Sequence, residues 1–211
     1  MPDERPGPGE IQDSSGSREW DERYRSGALP WDTGTPSSEL VRVVQEYAIK
    51  PCRALEMGCG TGTNARYLAS MGFDVTAVDL SQTAIDIARS KQSPDEPGVD
   101  FRVADLAADA DLGEPYDFLF DRGVYHVVRG VNLDAFLATL SRASKPGALY
   151  LSIAGNSREK HDPGPPTVSD EEIRSEVGRV FKIVHLREIR FDGSPARPTR
   201  PLGWSCLMRR R

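Results

Sequence analysis

The sequence predicts a single α/β domain built on a mostly parallel sheet, and three observations lead there. From residue 53 onward, short apolar runs alternate with segments of helical period, the pattern of parallel strands joined by crossover helices. The C-terminal third departs from this alternation and ends in two strand-like runs, which suit an antiparallel closing hairpin. At 211 residues, 38% hydrophobic and 28% charged, the chain has the size and composition of one globular core.

The elements follow in order. Residues 1–17 are almost entirely Pro, Gly, Ser and charge, which bury too little apolar surface to offset chain ordering, so they are expected to be a disordered tail ahead of a domain over 18–211. Trp20 and Tyr24 lie four apart on one face of a short helix, followed by the turn-rich stretch Gly27–Pro36. Ser37 is placed to cap a helix with Leu40, Val44 and Tyr47 on its apolar face, ended by Pro51. Residues 53–57 read as the first strand. The helix after it carries Asn64, Tyr67, Leu68 and Met71 at helical spacing, with Gly72 to end it, and 75–79 is the second strand. Ser81 caps a helix with an Ala84, Ile85 and Ala88 stripe, and residues 101–104 and 116–120 are strands three and four. Leu133, Phe136, Leu137 and Leu140 form an amphipathic helix, and Lys145-Pro146-Gly147 turns into the apolar strand 148–154. Ser169 to Glu172 is a capping box, and 181–191 and 204–208 are the closing strands.

Charge and composition exclude several functions. The net charge of −5 disfavours binding to a phosphate backbone, and the Arg-rich C-terminus reads as a solvated strand end. Cys52, Cys59 and Cys206 form no C-x-x-C pair, so neither a zinc site nor a disulfide framework is expected. No run approaches the ~20 apolar residues of a membrane helix, and the N-terminus lacks an apolar signal core. A cytoplasmic, monomeric protein with no nucleic-acid, membrane or metal partner is expected.

The most informative segment is Leu55-Glu56-Met57-Gly58-Cys59-Gly60-Thr61-Gly62-Thr63-Asn64, a strand running into glycines and then a helix. Glycine lets a ligand lie directly on the backbone. Asp79 ends the next strand, 21 residues after Gly58, where an acid can accept from both hydroxyls of a ribose. Asp105 ends the third strand, placed for an adenine amino group, with Leu80 and Leu106 offering apolar faces to the ring. A nicotinamide site needs glycine where Thr63 stands. A nucleoside cofactor that is cationic rather than phosphorylated fits better, with Glu56 at the base of the turn, and S-adenosylmethionine has that character.

These motifs resemble the class I S-adenosylmethionine-dependent methyltransferases. Further motifs are similar to the thiopurine methyltransferase branch and its halide/thiol and tellurite-resistance relatives: Trp20 with Pro30-Trp31-Asp32 ahead of the fold, Phe120-Asp121-Arg122-Gly123 after strand four, and Pro163-Gly164-Pro165-Pro166 before the last helix. The resemblance implies a Rossmann-like seven-stranded sheet ordered 3-2-1-4-5-7-6 with the last strand antiparallel. It also implies a cofactor site containing Cys59 and Asp121, and a lid over 18–36 whose Trp20 and Trp31 close over the cofactor. As bare sequence, those aromatics serve equally as packing anchors.

Ligands of an open α/β sheet sit beyond the carboxyl ends of its strands, which places 121–126 in the cleft. In the resemblance Arg122 touches the acceptor, where its guanidinium would steer an anion; the alternative is a structural pair with Asp121 or Asp117. His126 either takes a proton or satisfies a core hydrogen bond. The implied acceptor is a small molecule carrying a thiol, selenol or similar soft nucleophile, since a thiol is partly ionised at neutral pH; a phenol or quinol oxygen comes second. A non-catalytic cofactor-binding subunit would carry the same Glu56, Asp79 and Asp105.

Overall fold

The structure, a computed structural model, describes residues 16–27, 29–108, 110–159, 165–194 and 198–211. Most of the expected tail, and Pro163 and Gly164 of the proline-rich motif, lie outside them.

Seven strands form one sheet in the order β3-β2-β1-β4-β5-β7-β6. In chain order the strands are β1 Arg53–Met57, β2 Asp74–Asp79, β3 Asp100–Val103, β4 Tyr116–Arg122, β5 Ser144–Gly155, β6 Phe181–Arg190 and β7 Leu202–Arg210. β1 to β5 pair in parallel, and β7 runs antiparallel to both β5 and β6. The helices are α1 Ser17–Ser26, α2 Ser38–Glu46, α3 Thr63–Ser70, α4 Gln82–Ser90, α5 Tyr125–Ala143 and α6 Asp170–Glu176.

The strand period of two splits the core between the faces. Ala54, Phe118, Phe120 and Leu207 join Leu40 and Val43 of α2, Leu68 of α3 and Ile85 of α4 on one side. Leu55, Met57, Leu119 and Met208 join Phe136, Leu137 and Leu140 of α5 and Ile173 of α6 on the other. All these side chains are nearly or fully buried, and each of them larger than alanine contributes on the order of 1.5–3 kcal/mol relative to exposure.

Local signals explain most boundaries. The Ser81 hydroxyl accepts from Ala84 N, and Ser169 and Glu172 complete a reciprocal capping box. Five details differ from expectation. Ser37 makes no side-chain cap; its backbone N–H donates to Asn64 Oδ1 (2.8 Å), a bond across 27 residues that binds α2 to α3. α2 stops at Glu46, ahead of Ala48 at φ 48°, before Pro51 can act. The buried stripe of α3 is Ala65, Leu68 and Ala69, leaving Met71 46% exposed, because only that face meets the sheet. Residues 145–147 fall inside β5 as an irregularity: Tyr116 pairs with Ser144, but Phe118 pairs with Leu149. α5 breaks at Asn132, whose side chain accepts from Ala135 N (3.1 Å) and recaps the second half.

Candidate active site

β1 carries Glu56 to the carboxyl edge of the sheet, and residues 58–62 turn from there into α3. Gly58 and Gly60 take φ of 64° and 54°. A Cβ at Gly58 would lie 2.1 Å from Val124 Cγ2, and one at Gly60 would lie 3.0 Å from the Tyr24 hydroxyl oxygen. Both torsion and crowding therefore demand glycine. Gly62 is the left-handed residue from which α3 starts. Cys59 N donates to Val78 O (2.9 Å) and Gly60 N to Asp79 Oδ2 (2.8 Å), stitching the loop to the end of β2. The Cys59 thiol faces the core, and burial holds its pKa well above the usual range, so Cys59 serves the loop through its backbone.

Carboxylates stand at the ends of three adjacent strands. Glu56 is 1% exposed; its Oε1 accepts from Asn64 Nδ2 (3.1 Å), while buried Oε2 has no hydrogen-bond partner among the described residues. Burial pushes its pKa up to about 8, with Asn64 opposing. An orphaned buried carboxylate oxygen costs on the order of 1–3 kcal/mol, which a donor in the cleft would offset. Asp79 accepts from Gly60 N on Oδ2 and from Ser81 N (3.0 Å) on Oδ1, and each oxygen keeps a lone pair for a further donor. Its burial raises its pKa against those backbone bonds. Asp105, after β3, accepts from Ala107 N (2.8 Å) beside buried Leu106, and Leu80 is half-buried after β2. Acids arranged in this way suit an extended ligand bearing hydroxyls, amines and positive charge, and repel a phosphate.

α1 and the following loop pack onto the glycine turn and the start of α4. Asp21 Oδ1 accepts from Thr83 N (3.0 Å) and from the Ser81 hydroxyl, docking α1 onto the start of α4. Tyr24 is buried over Gly60, and the Trp31 ring meets Trp20 and Tyr24 edge-on at centroid distances of 5.6 and 6.1 Å. Asp32 Oδ2 accepts from Thr61 Oγ1 (2.9 Å), fastening the loop to the glycine turn.

Arg122 ends β4 beside this loop. Its Nη1 donates to Trp31 O (2.9 Å), and its guanidinium lies 5.3 Å from the Phe191 ring centre. Among the described residues it makes no ion pair, neither with Asp121 nor with Asp117: Asp117 pairs with Lys145. Burial lowers its pKa, with Asp192, Asp32 and Glu56 opposing from a distance; guanidinium remains charged. His126, in the first turn of α5, accepts from Gly155 N on Nδ1 (2.7 Å).

Asp121, expected among the cofactor ligands, accepts on both oxygens from groups of the fold itself. It is fully buried: Oδ1 accepts from Val124 N (2.9 Å) and Tyr125 N (3.1 Å), and Oδ2 from the Tyr150 hydroxyl (2.6 Å). It caps the start of α5 and ties it to β5. Sequence reasoning passed over Asp21, Phe191 and the second role of Asn64. Each depends on a contact between elements distant in the chain; the one local signal was Phe191 at a strand end before a Gly/Pro-rich loop.

Residues 54–147 match the family described as a methyltransferase domain. The chain is 27% identical to the probable thiol methyltransferase 2 of Arabidopsis thaliana over 74% of this chain and 68% of that protein. It is also 27% identical to the 2-heptyl-1-hydroxyquinolin-4(1H)-one methyltransferase of Mycobacteroides abscessus, over 73% and 69%. The chain spans between 38% and 69% of the length of the curated relatives it matches. A solved structure reported under "Conversion of a Disulfide Bond into a Thioacetal Group during Echinomycin Biosynthesis" superposes with a TM-score of 0.80 and 28% identity, covering 92% of each chain.

Proposed function

We propose that the chain carries a class I S-adenosylmethionine-dependent methyltransferase domain and that it methylates a small-molecule sulfur nucleophile, a thiol first of all. One observation carries the cofactor half of this reading: Glu56, with an orphaned buried Oε2, stands in line with Asp79 and Asp105 along a cradle where Gly58 and Gly60 leave no room for side chains. When bound, S-adenosylmethionine supplies a methyl group on a sulfonium.

The residues divide the task of holding it. Glu56 holds the ammonium of the amino-acid portion, Asp79 the ribose hydroxyls, and Asp105 the adenine amino group between Leu80 and Leu106. Tyr24, Trp20 and Trp31 exclude water above the reacting centre. Arg122 faces the acceptor and favours its anion. A sulfur acceptor is favoured because thiolate is available near neutral pH and because one relative and one structural neighbour concern sulfur chemistry. The quinolone methyltransferase relative makes an oxygen acceptor the second reading.

Calorimetric titration with S-adenosylhomocysteine at several pH values tests the cofactor half. Glu56 is held protonated by burial up to about pH 8, and an ammonium beside it would drive that proton off. Affinity should therefore rise between pH 6 and 7.5, by up to ~10-fold per unit, with about one proton released. Stability of the free protein runs the opposite way. The folded value exceeds the unfolded 4.5, so the folded state holds the extra proton and loses stability as pH rises from 4.5 through 8. Glu56→Gln should flatten both dependences; a pH-independent Kd in the wild type would remove Glu56 from the site.

A further inference from the structure

We propose that His126 is a second acceptor-binding residue that donates a hydrogen bond through Nε2 beside the Arg122 guanidinium, so that the acceptor enters already ionised and His126 is not its base. This rests on the methyltransferase reading above.

The Gly155 backbone N–H can only donate, and it donates to His126 Nδ1 at 2.7 Å. Nδ1 is therefore the unprotonated acceptor, and the neutral ring carries its hydrogen on Nε2. The position is built tightly. A Cβ at Gly155 would lie 3.3 Å from Nδ1 and 2.8 Å from Pro166 O, so the ring and the loop after β5 fit each other only around a glycine. The ring is 5% exposed, and among the described residues Nε2 has no hydrogen-bond partner. Nε2 lies on the Gly123 side, 3.6 Å from where a Cβ there would stand, next to the residue that ends β4.

A proton on Nδ1 would point at the N–H of Gly155, and the resulting cation would be buried beside Arg122. Burial first and Arg122 second hold the ring pKa down to about 4. This histidine is an N–H donor throughout the neutral range. Arg122 adds guanidinium donors that the described residues use only once, on Trp31 O. Two such donors at one strand end match a nucleophile that has lost its proton: a thiolate first, a phenolate next. The acceptor's proton leaves to water before entry. Within the site the acceptor sulfur gains a bond to the methyl carbon, the methyl–sulfonium bond breaks, and its electron pair stays on the departing sulfur.

The test uses the full chain with S-adenosylmethionine and a series of aryl thiols of graded acidity, with kcat/KM measured from pH 5.5 to 8.5. The rising limb is expected to move with the acidity of the thiol. His126→Gln, which keeps an acceptor for Gly155 and an N–H donor, should keep that shape within about tenfold in height, whereas His126→Ala should lose more. Nitrogen NMR of the ring, which needs no turnover, should show the Nε2–H form unchanged from pH 5.5 to 8. A limb fixed near pH 6–7 for every thiol and abolished in His126→Gln, or a ring that titrates in that range, would overturn the donor role while leaving methyl transfer intact. Absence of both cofactor binding and transfer would instead sink the methyltransferase reading, and the role of His126 with it.

Discussion

Replacing Asp79 with alanine is expected to weaken S-adenosylhomocysteine binding by on the order of 1.5–3 kcal/mol, about ten- to a hundredfold in Kd, since a charged acceptor for two ribose hydroxyls is lost. The same carboxylate accepts from Gly60 N and Ser81 N, so the variant also leaves two backbone donors unpaired and lowers the melting temperature. Asp79→Asn separates the two effects. It retains one oxygen acceptor and the side-chain volume, so it should recover much of the stability and less of the affinity. Calorimetry well below the melting temperature is the deciding measurement; an unchanged Kd in both variants would place the ribose elsewhere.

Arg122→Ala is expected to lower kcat/KM for a thiolate acceptor by about a hundredfold, roughly 2.7 kcal/mol of transition-state stabilisation, while S-adenosylhomocysteine affinity changes little. The split follows from position. Arg122 ends β4 and bonds Trp31, whereas the acids assigned to the nucleoside end β2 and follow β3. Arg122→Lys keeps the charge but loses the planar fork and the stacking on Phe191, and should fall between wild type and alanine. Intact turnover with a lowered melting temperature would show that Arg122 serves only to anchor Trp31 and Phe191.

How much of this was legible in the sequence depended on the range of the causes. β1 over Arg53–Met57, the Ser81 cap, the Ala84, Ile85 and Ala88 stripe and the Ser169–Glu172 capping box are set by residues within a few positions of one another, and sequence reasoning found them. The strand order followed from the resemblance carried by Glu56 to Gly62, Asp79 and Asp105, and the sheet has it. The misses share another cause. Asp121 looks like a ligand until its oxygens are seen on Val124 N, Tyr125 N and the Tyr150 hydroxyl, 29 residues away. Asp21 reaches Thr83 across 62 residues, and Phe191 meets Arg122 only because β6 and β7 close the sheet beyond β5. The orientation of the His126 ring likewise depends on Gly155 at the far end of the neighbouring strand. Such contacts leave no periodicity in the chain; they are consequences of the fold.

We propose that the acids beside the glycine turn, together with Arg122 at the end of β4, move a methyl group to a small sulfur nucleophile. The measurement that bears on it most directly is transfer of label from methyl-labelled S-adenosylmethionine by the full chain to a panel of small thiols, phenols and halides. Labelled thioether is expected, with one S-adenosylhomocysteine formed per methyl, fastest for the more acidic thiols and about a hundredfold slower in Arg122→Ala. Tight cofactor binding with no label reaching any acceptor would contradict it and make the chain a binding subunit instead.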